Sequence, residues 1–153
     1  MNILQRLLAM LYLLSMSGFS NALSLADVDH QIQITYAEVL ALKKSKAIDK
    51  SVRVPGIQVG KTPLHAYAKG LELLEKIQKY QVQNNLPAFE LPNLPIKKVR
   101  SKKVMAIVML AQTQLKAINQ SVNINADSIQ KDDSSKTASD LYEHIWQTSL
   151  VMD

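Results

Sequence analysis

The sequence predicts an all-α fold, a four-helix bundle with long ordered extended connectors. Three observations predict it. Four stretches repeat apolar residues at three- and four-residue steps, the spacing of one helix face. Each opens on a residue suited to capping a helix: Ser24, Thr62, Ser101 and Thr137. Between them lie proline-bearing or polar stretches that do not continue a helix. Some of these carry apolar residues that a disordered linker would not need.

Residues 1–22 read as a secretory signal peptide. Arg6 and the amino terminus give the positive start, Leu7 to Met16 the apolar core, and Ser20-Asn21-Ala22 a small-x-small cleavage site. The core is too short to cross a bilayer, which takes roughly 20 residues as a helix. An uncleaved membrane anchor is the alternative. No cysteine follows, which excludes lipoprotein attachment. The mature chain, residues 23–153, is expected to be a single helical-bundle domain, periplasmic or secreted, with no transmembrane span. Removing residues 1–22 takes away Arg6 alone and leaves 17 basic against 13 acidic residues. With no cysteine in the 153 residues, the core must hold the fold without disulfides.

The first helix is expected over Leu23 to Ala47. Ser24 with Asp27 forms a capping pattern, and Val28, Ile32, Tyr36, Val39 and Leu40 make the stripe. Lys43, Lys44 and Lys46 fall in its last turn, where the helix dipole favours cations. Asp49 to Lys61 is a connector, read as extended chain along a groove rather than a hairpin, because a lone hairpin has no sheet to join. The second helix, Thr62 to Gln81, is the clearest. Pro63 suits its first position, and Leu64, Tyr67, Leu71, Leu74 and Ile77 or Gln78 line one face. Glu72 with Lys76, and Glu75 with Lys79, have the spacing of surface ion pairs. Gly70 inside this helix marks close approach of a neighbour.

Asn84 to Lys98 contains three prolines, and Leu86, Phe89, Leu91, Leu94 and Ile96 are expected to pack it onto the bundle. Ser101 to Gln120 is the third and most apolar helix, expected to be central. Ser121 to Lys136 is polar and reads as the loosest loop. The fourth helix follows Thr137 and Asp140, with Leu141, Tyr142, Ile145, Trp146 and Leu150. The connectors are long enough to return the chain to its starting end. A parallel bundle and an antiparallel one are therefore both open.

The helix starts echo one another. Lys61-Thr62, Arg100-Ser101 and Lys136-Thr137 each put a basic residue before a hydroxyl, at offsets of 39 and 36 residues, within the range of helical repeats. The starts K-T-P-L-H-A-Y and K-T-A-S-D-L-Y resemble those of exported bacterial helical proteins of uncharacterised function, from Lys61 onward. The resemblance implies no activity and no site residue.

No nucleophile elbow, zinc-protease helix, P-loop or dinucleotide glycine pattern occurs. No enzyme activity, cofactor or metal is expected. Asp27 and His30 share a helix face, but a di-iron bundle needs such pairs on two helices together with further acids. The strongest polar feature is Lys97, Lys98, Arg100, Lys102 and Lys103, a collar of cations expected to contact anionic surfaces. The function expected is a non-enzymatic interaction protein of the bacterial envelope, with an acidic protein or anionic envelope polymer as partner and no nucleic acid. The alternative is a small-ligand sensor or carrier, with a pocket between helices lined by Tyr36, Tyr67, Tyr142 and Trp146. Protein recovered from the periplasm should begin at Leu23 by intact mass. Full-length chain recovered in the membrane fraction would overturn the signal-peptide reading.

Overall fold

The Ser24 hydroxyl accepts from the Asp27 N–H, and Asp27 accepts from the Ser24 N–H at 2.8 Å. This reciprocal box starts α1, Leu25–Ser45. Before α2, Pro63–Gln83, the ring of His65 replaces the acid: the Thr62 N–H donates to His65 Nδ1 at 3.1 Å. Arg100 precedes α3, Ser101–Ser121, and its side chain makes no capping bond. Thr137 and Asp140 form the full box again before α4, Ala138–Val151. The computed structural model describes residues 23–48, 56, 58–94, 98–132 and 134–152. The expected signal peptide, most of the first connector, Ile96 and Lys97 lie outside the described residues. Among those described, no helix is long and apolar enough to cross a membrane.

Three helices leave by the same turn. Ala47, Asn85 and Asn123 have φ of 51°, 54° and 56°, the left-handed region. The next N–H then reaches back five residues: Ile48 to Lys43 O at 3.3 Å, Leu86 to Gln81 O at 2.9 Å, Ile124 to Asn119 O at 2.8 Å. This turn satisfies helix-end carbonyls that would otherwise lack donors. Asparagine tolerates the conformation better than most residues.

Helix starts at 25, 63, 101 and 138 are spaced by 38, 38 and 37 residues, and the three turns by 38 and 38. Taking Ser101 as the third cap had given offsets of 39 and 36. With Arg100 in that position the spacing evens out, and α1 joins the series as a fourth unit. The core follows the same register. Val28, Ala66, Val104 and Leu141 stand at one equivalent position and are fully buried. Ile32, Gly70, Val108 and Ile145 are buried one step on, then Thr35, Leu73, Ala111 and Thr148. Steps alternating four and three are those of a heptad seam.

All four helices run parallel. Gln31 of α1 donates to Gln112 of α3 at 2.6 Å, and farther along both helices Asn119 donates to Glu38 Oε2 at 2.7 Å. On α2 and α3, Gly70 faces Ile107, and later Gln81 donates to Gln114 at 3.0 Å. The Lys61 N–H donates to Ser139, and later Lys76 to the Ser149 carbonyl, so α2 and α4 agree in direction. Packing joins α1 to α3, α3 to α2, α2 to α4 and α4 to α1. Consecutive helices α1 and α2 therefore lie diagonally across the ring, as do α3 and α4. The third helix is not central as expected; it packs on two neighbours, like each of the others.

The connector after α2 retraces its own helix. Gln78 donates to the Phe89 carbonyl at 2.6 Å, and the Tyr67 hydroxyl meets the Asn93 carbonyl at 3.5 Å. Leu86, Phe89 and Leu91 pack on the core, as expected, whereas Leu94 is exposed. The connector expected to be loosest is tied to α1 by Lys131–Asp27 at 3.0 Å and Lys136–Asp29 at 3.6 Å.

The buried face of α2 is rotated slightly from the expected one. Leu74 and Ile77 are fully buried, but so is Leu73, whereas Leu64 is 44% exposed. On α1 the stripe ends on Leu42 in place of Leu40, which is 42% exposed. A Cβ on Gly70 would lie 2.7 Å from Cγ2 of Ile107, which is the close approach the glycine signalled. In one urea series, Leu74→Ala should cost about 2–5 kcal/mol and Thr62→Ala about 1 kcal/mol. Gly70→Ala should also destabilise, because overpacking of about 1–3 kcal/mol outweighs the helix propensity gained. A neutral or stabilising Gly70→Ala would show that α2 and α3 are not in this register.

Candidate functional site

The fourth helix has 14 residues, and the other three have 21. Since all four start at one end, the last two turns of α1 and α2 run on past the end of α4. A cavity of about 440 Å³ opens there, between α1 and α2. Its floor is apolar: Val39 and Leu42 from α1, with Val151 and Met152 from the end of α4. Its walls are basic. Lys43 and Lys46 come from the end of α1, and Lys76 and Lys79 from α2; none of the described residues lining it is acidic. Lys43 and Lys46 stand at the C-terminus of α1, where the negative end of the dipole favours cations.

The walls are shaped by specific contacts. Lys76 donates to the Ser149 carbonyl at 2.9 Å, which ties α2 to the last turn of α4. The Lys46 ammonium lies 5.5 Å from the centre of the Tyr80 ring. That is cation–π distance, and it holds Lys46 beside the opening. Glu72 is engaged by Lys69 at 2.5 Å and by the Ser149 hydroxyl at 3.4 Å. Ammonium groups around an apolar floor suit an anion attached to an apolar body.

The residues singled out from sequence lie elsewhere. Lys98, Arg100, Lys102 and Lys103 are exposed around the start of α3, at the opposite end of the bundle from the cavity. Lys97 is outside the described residues. Of the four aromatics, Tyr142 and Trp146 meet at 5.8 Å. Lys61 stands 4.7 Å from the Tyr142 ring centre, and Lys69 5.3 Å from that of Trp146. Tyr67 is buried near the start of α2, and Tyr36 packs on the core from α1. None of these four lines the cavity. Asp27 is committed to its cap and to Lys131. Among the described residues, no group of three His, Cys, Asp or Glu side chains is placed to hold a metal ion.

A second polar cluster, not foreseen, joins α1 to α4. Asp29 is 3% exposed, and His144 Nδ1 lies 2.5 Å from its carboxylate. Gln33 reaches the same nitrogen at 3.1 Å, and Lys136 approaches Asp29 from the last connector. The hydrogen bond to Asp29 raises the His144 pKa above its ordinary 6.5, against the opposing effect of burial. At the caps, backbone and hydroxyl donors from Ser24 lower Asp27 to about 2, and those from Thr137 lower Asp140.

No protein-family model, no curated protein and no solved structure matches the chain.

These shifts give stability a pH dependence of definite sign. A raised histidine stabilises the fold fully below the unfolded value of 6.5, and that contribution is lost as pH rises through the folded value. A lowered carboxylate stabilises above its ordinary 3.8, and its contribution is lost as pH falls toward about 2. The melting temperature should therefore decline on the acid side and again above pH 6.5. His144→Gln should flatten the upper arm and leave the acid arm in place. An unchanged upper arm in that variant would remove His144 as its cause.

Proposed function

We propose that the protein is an exported, non-enzymatic binding protein, and that it holds an anionic partner with an apolar part in the lysine-walled cavity. One observation carries the reading: Lys43, Lys46, Lys76 and Lys79 converge from two helices on an apolar floor. The volume, about 440 Å³, lies within the range of ligand sites, and such sites pair an apolar lining with a few placed polar groups. The lysines supply charge and donors, the means of capturing an anion. Export rests on residues 1–22 as read from the sequence.

This reading keeps the anionic partner expected from the basic composition and moves its seat. The collar of Lys98, Arg100, Lys102 and Lys103 fans around a helix start, a geometry for diffuse attraction. The cavity instead offers depth and an apolar surface. Attraction to the collar is screened by salt over about 10 Å at 0.1 M. Binding in the cavity should retain an apolar component at higher salt.

Anilinonaphthalene sulfonate, an anion with an aromatic body, is a suitable probe. Its fluorescence should rise saturably with the protein at moderate salt. Lys46→Gln with Lys79→Gln should weaken binding about tenfold, equivalent to about 1.4 kcal/mol. Lys98→Gln with Lys102→Gln and Lys103→Gln should leave it unchanged. If the collar substitutions weaken it and the cavity substitutions do not, the seat is the collar.

A further inference from the structure

A smaller cavity, of about 240 Å³, lies between α1, the last turns of α3 and the connector that follows α3. Its polar lining is Glu38, Lys116, Asn119, Gln120 and Asn125. It shares no lining residue with the lysine-walled cavity. Asn119 organises it. The Asn119 carbonyl accepts from the Ile124 N–H at 2.8 Å, and this turn brings Ile124, Asn125 and Ala126 to the cavity wall. The Asn119 side chain, 1% exposed, directs its amide donors at Glu38, to the backbone carbonyl at 3.0 Å and to Oε2 at 2.7 Å.

Acceptors then outnumber donors. Asn119 Oδ1 is buried and has no hydrogen-bond partner. Glu38 is 8% exposed, and among the described residues its carboxylate receives one hydrogen bond, from Asn119. A carboxylate can accept about four. Taking one out of water with so little compensation costs stability. Lys116 lines the same cavity but forms no ion pair with Glu38 among the described residues. The last turn of α3 contributes the negative end of its dipole, which favours a cation beside Asn119.

These groups describe a ligand with two ends. An ammonium group is positive and carries three donors and no acceptor, which is what Glu38 and Asn119 Oδ1 lack. At the other end, Lys116 and the side-chain amides of Gln120 and Asn125 suit a carboxylate. A metal ion is disfavoured, because Glu38 is the single carboxylate lining the cavity and Lys116 adds positive charge. The volume is below the range of drug-sized sites, which begins at about 300 Å³. The apolar lining is Ile124 and Ala126 alone, so the ligand's own side chain is small.

We propose that this cavity binds a small free amino acid as its zwitterion, with the ammonium group on Glu38 and Asn119 and the carboxylate toward Lys116. The site is independent of the lysine-walled cavity and of the anion reading given to it.

The test is an NMR amide-shift titration of the full chain at neutral pH with free alanine, and with methylamine and acetate, which carry its two charges separately. Alanine should shift the amides of Glu38, Lys116, Asn119 and Asn125 saturably. Methylamine and acetate should bind about tenfold weaker or worse. Lys116 is exposed, so Lys116→Gln should fold normally and weaken alanine about tenfold. Glu38→Gln should weaken it at least as much and raise the melting temperature of the ligand-free chain, because it removes the poorly compensated carboxylate and keeps an acceptor for Asn119. Lys46→Gln with Lys79→Gln should leave alanine binding unchanged. Absence of saturable shifts at the four residues would overturn the proposal. So would methylamine or acetate binding as tightly as alanine, or alanine binding lost in the Lys46 and Lys79 variant. If Glu38→Gln fails to fold, Lys116→Gln decides: unchanged alanine binding in that variant overturns the zwitterion site.

Discussion

Each of the first three helices is about 30 Å long and points the same way as the next, so the chain must travel back over that distance each time. The rest of the architecture follows from this requirement. A link of 16 or 17 residues in extended form spans the distance with slack. It has to turn sharply at the helix end, which is the work of Ala47, Asn85 and Asn123 in left-handed geometry. Where the return path crosses the bundle surface it must bury apolar groups, and Leu86, Phe89 and Val99 do so. The reward for this long route is a common direction for all helices, with one heptad register shared by the four.

A common direction has an electrostatic cost. In an antiparallel bundle neighbouring helix dipoles offset one another, whereas here they add, giving one positive end and one negative end. The side chains answer at both. Asp27 and Asp140 sit in the first turns of α1 and α4, and Lys43, Lys46, Lys76 and Lys79 gather near the far end. The start of α3 departs from this pattern, with Lys102 and Lys103 in its first turn and no acid. The cavity is thus basic for a structural reason. The polarity of the bundle recruits lysines to this end, and the short α4 leaves an apolar floor between them.

The helices were legible because their signals are local. Thr62-Pro63 marks a start, and Val28, Ile32, Leu74 and Leu115 fall on buried positions by spacing alone. The turns were legible in principle too, since Asn85 and Asn123 are the residue type that tolerates φ near +55° and stand 38 apart. What the sequence does not display is which helices are neighbours. Asp29 and His144 are separated by 115 residues and meet only because α1 packs on α4. The cavity needs three facts at once: parallel direction, the placing of α1 opposite α2, and the early end of α4. Lys76 and Lys79 looked like surface partners of Glu72 and Glu75. The basic collar was conspicuous because its five cations are adjacent in sequence, whereas the four at the cavity come from two helices on opposite sides of the ring.

The ring order also governs how such a chain can assemble. Neighbours in sequence, α1 and α2, share no interface, so the first half of the chain has no helical hairpin to form. The seam on α1 stays uncovered until α3 exists, through contacts 81 residues apart, and until α4 exists, through contacts 115 residues apart. Helical bundles usually fold fast because their contacts are local; here every interface between helices joins segments separated by at least one long connector, which should slow folding relative to a bundle of helical hairpins. The ring of helices closes only when α4 docks between α1 and α2, so neither half of the chain holds a complete core by itself.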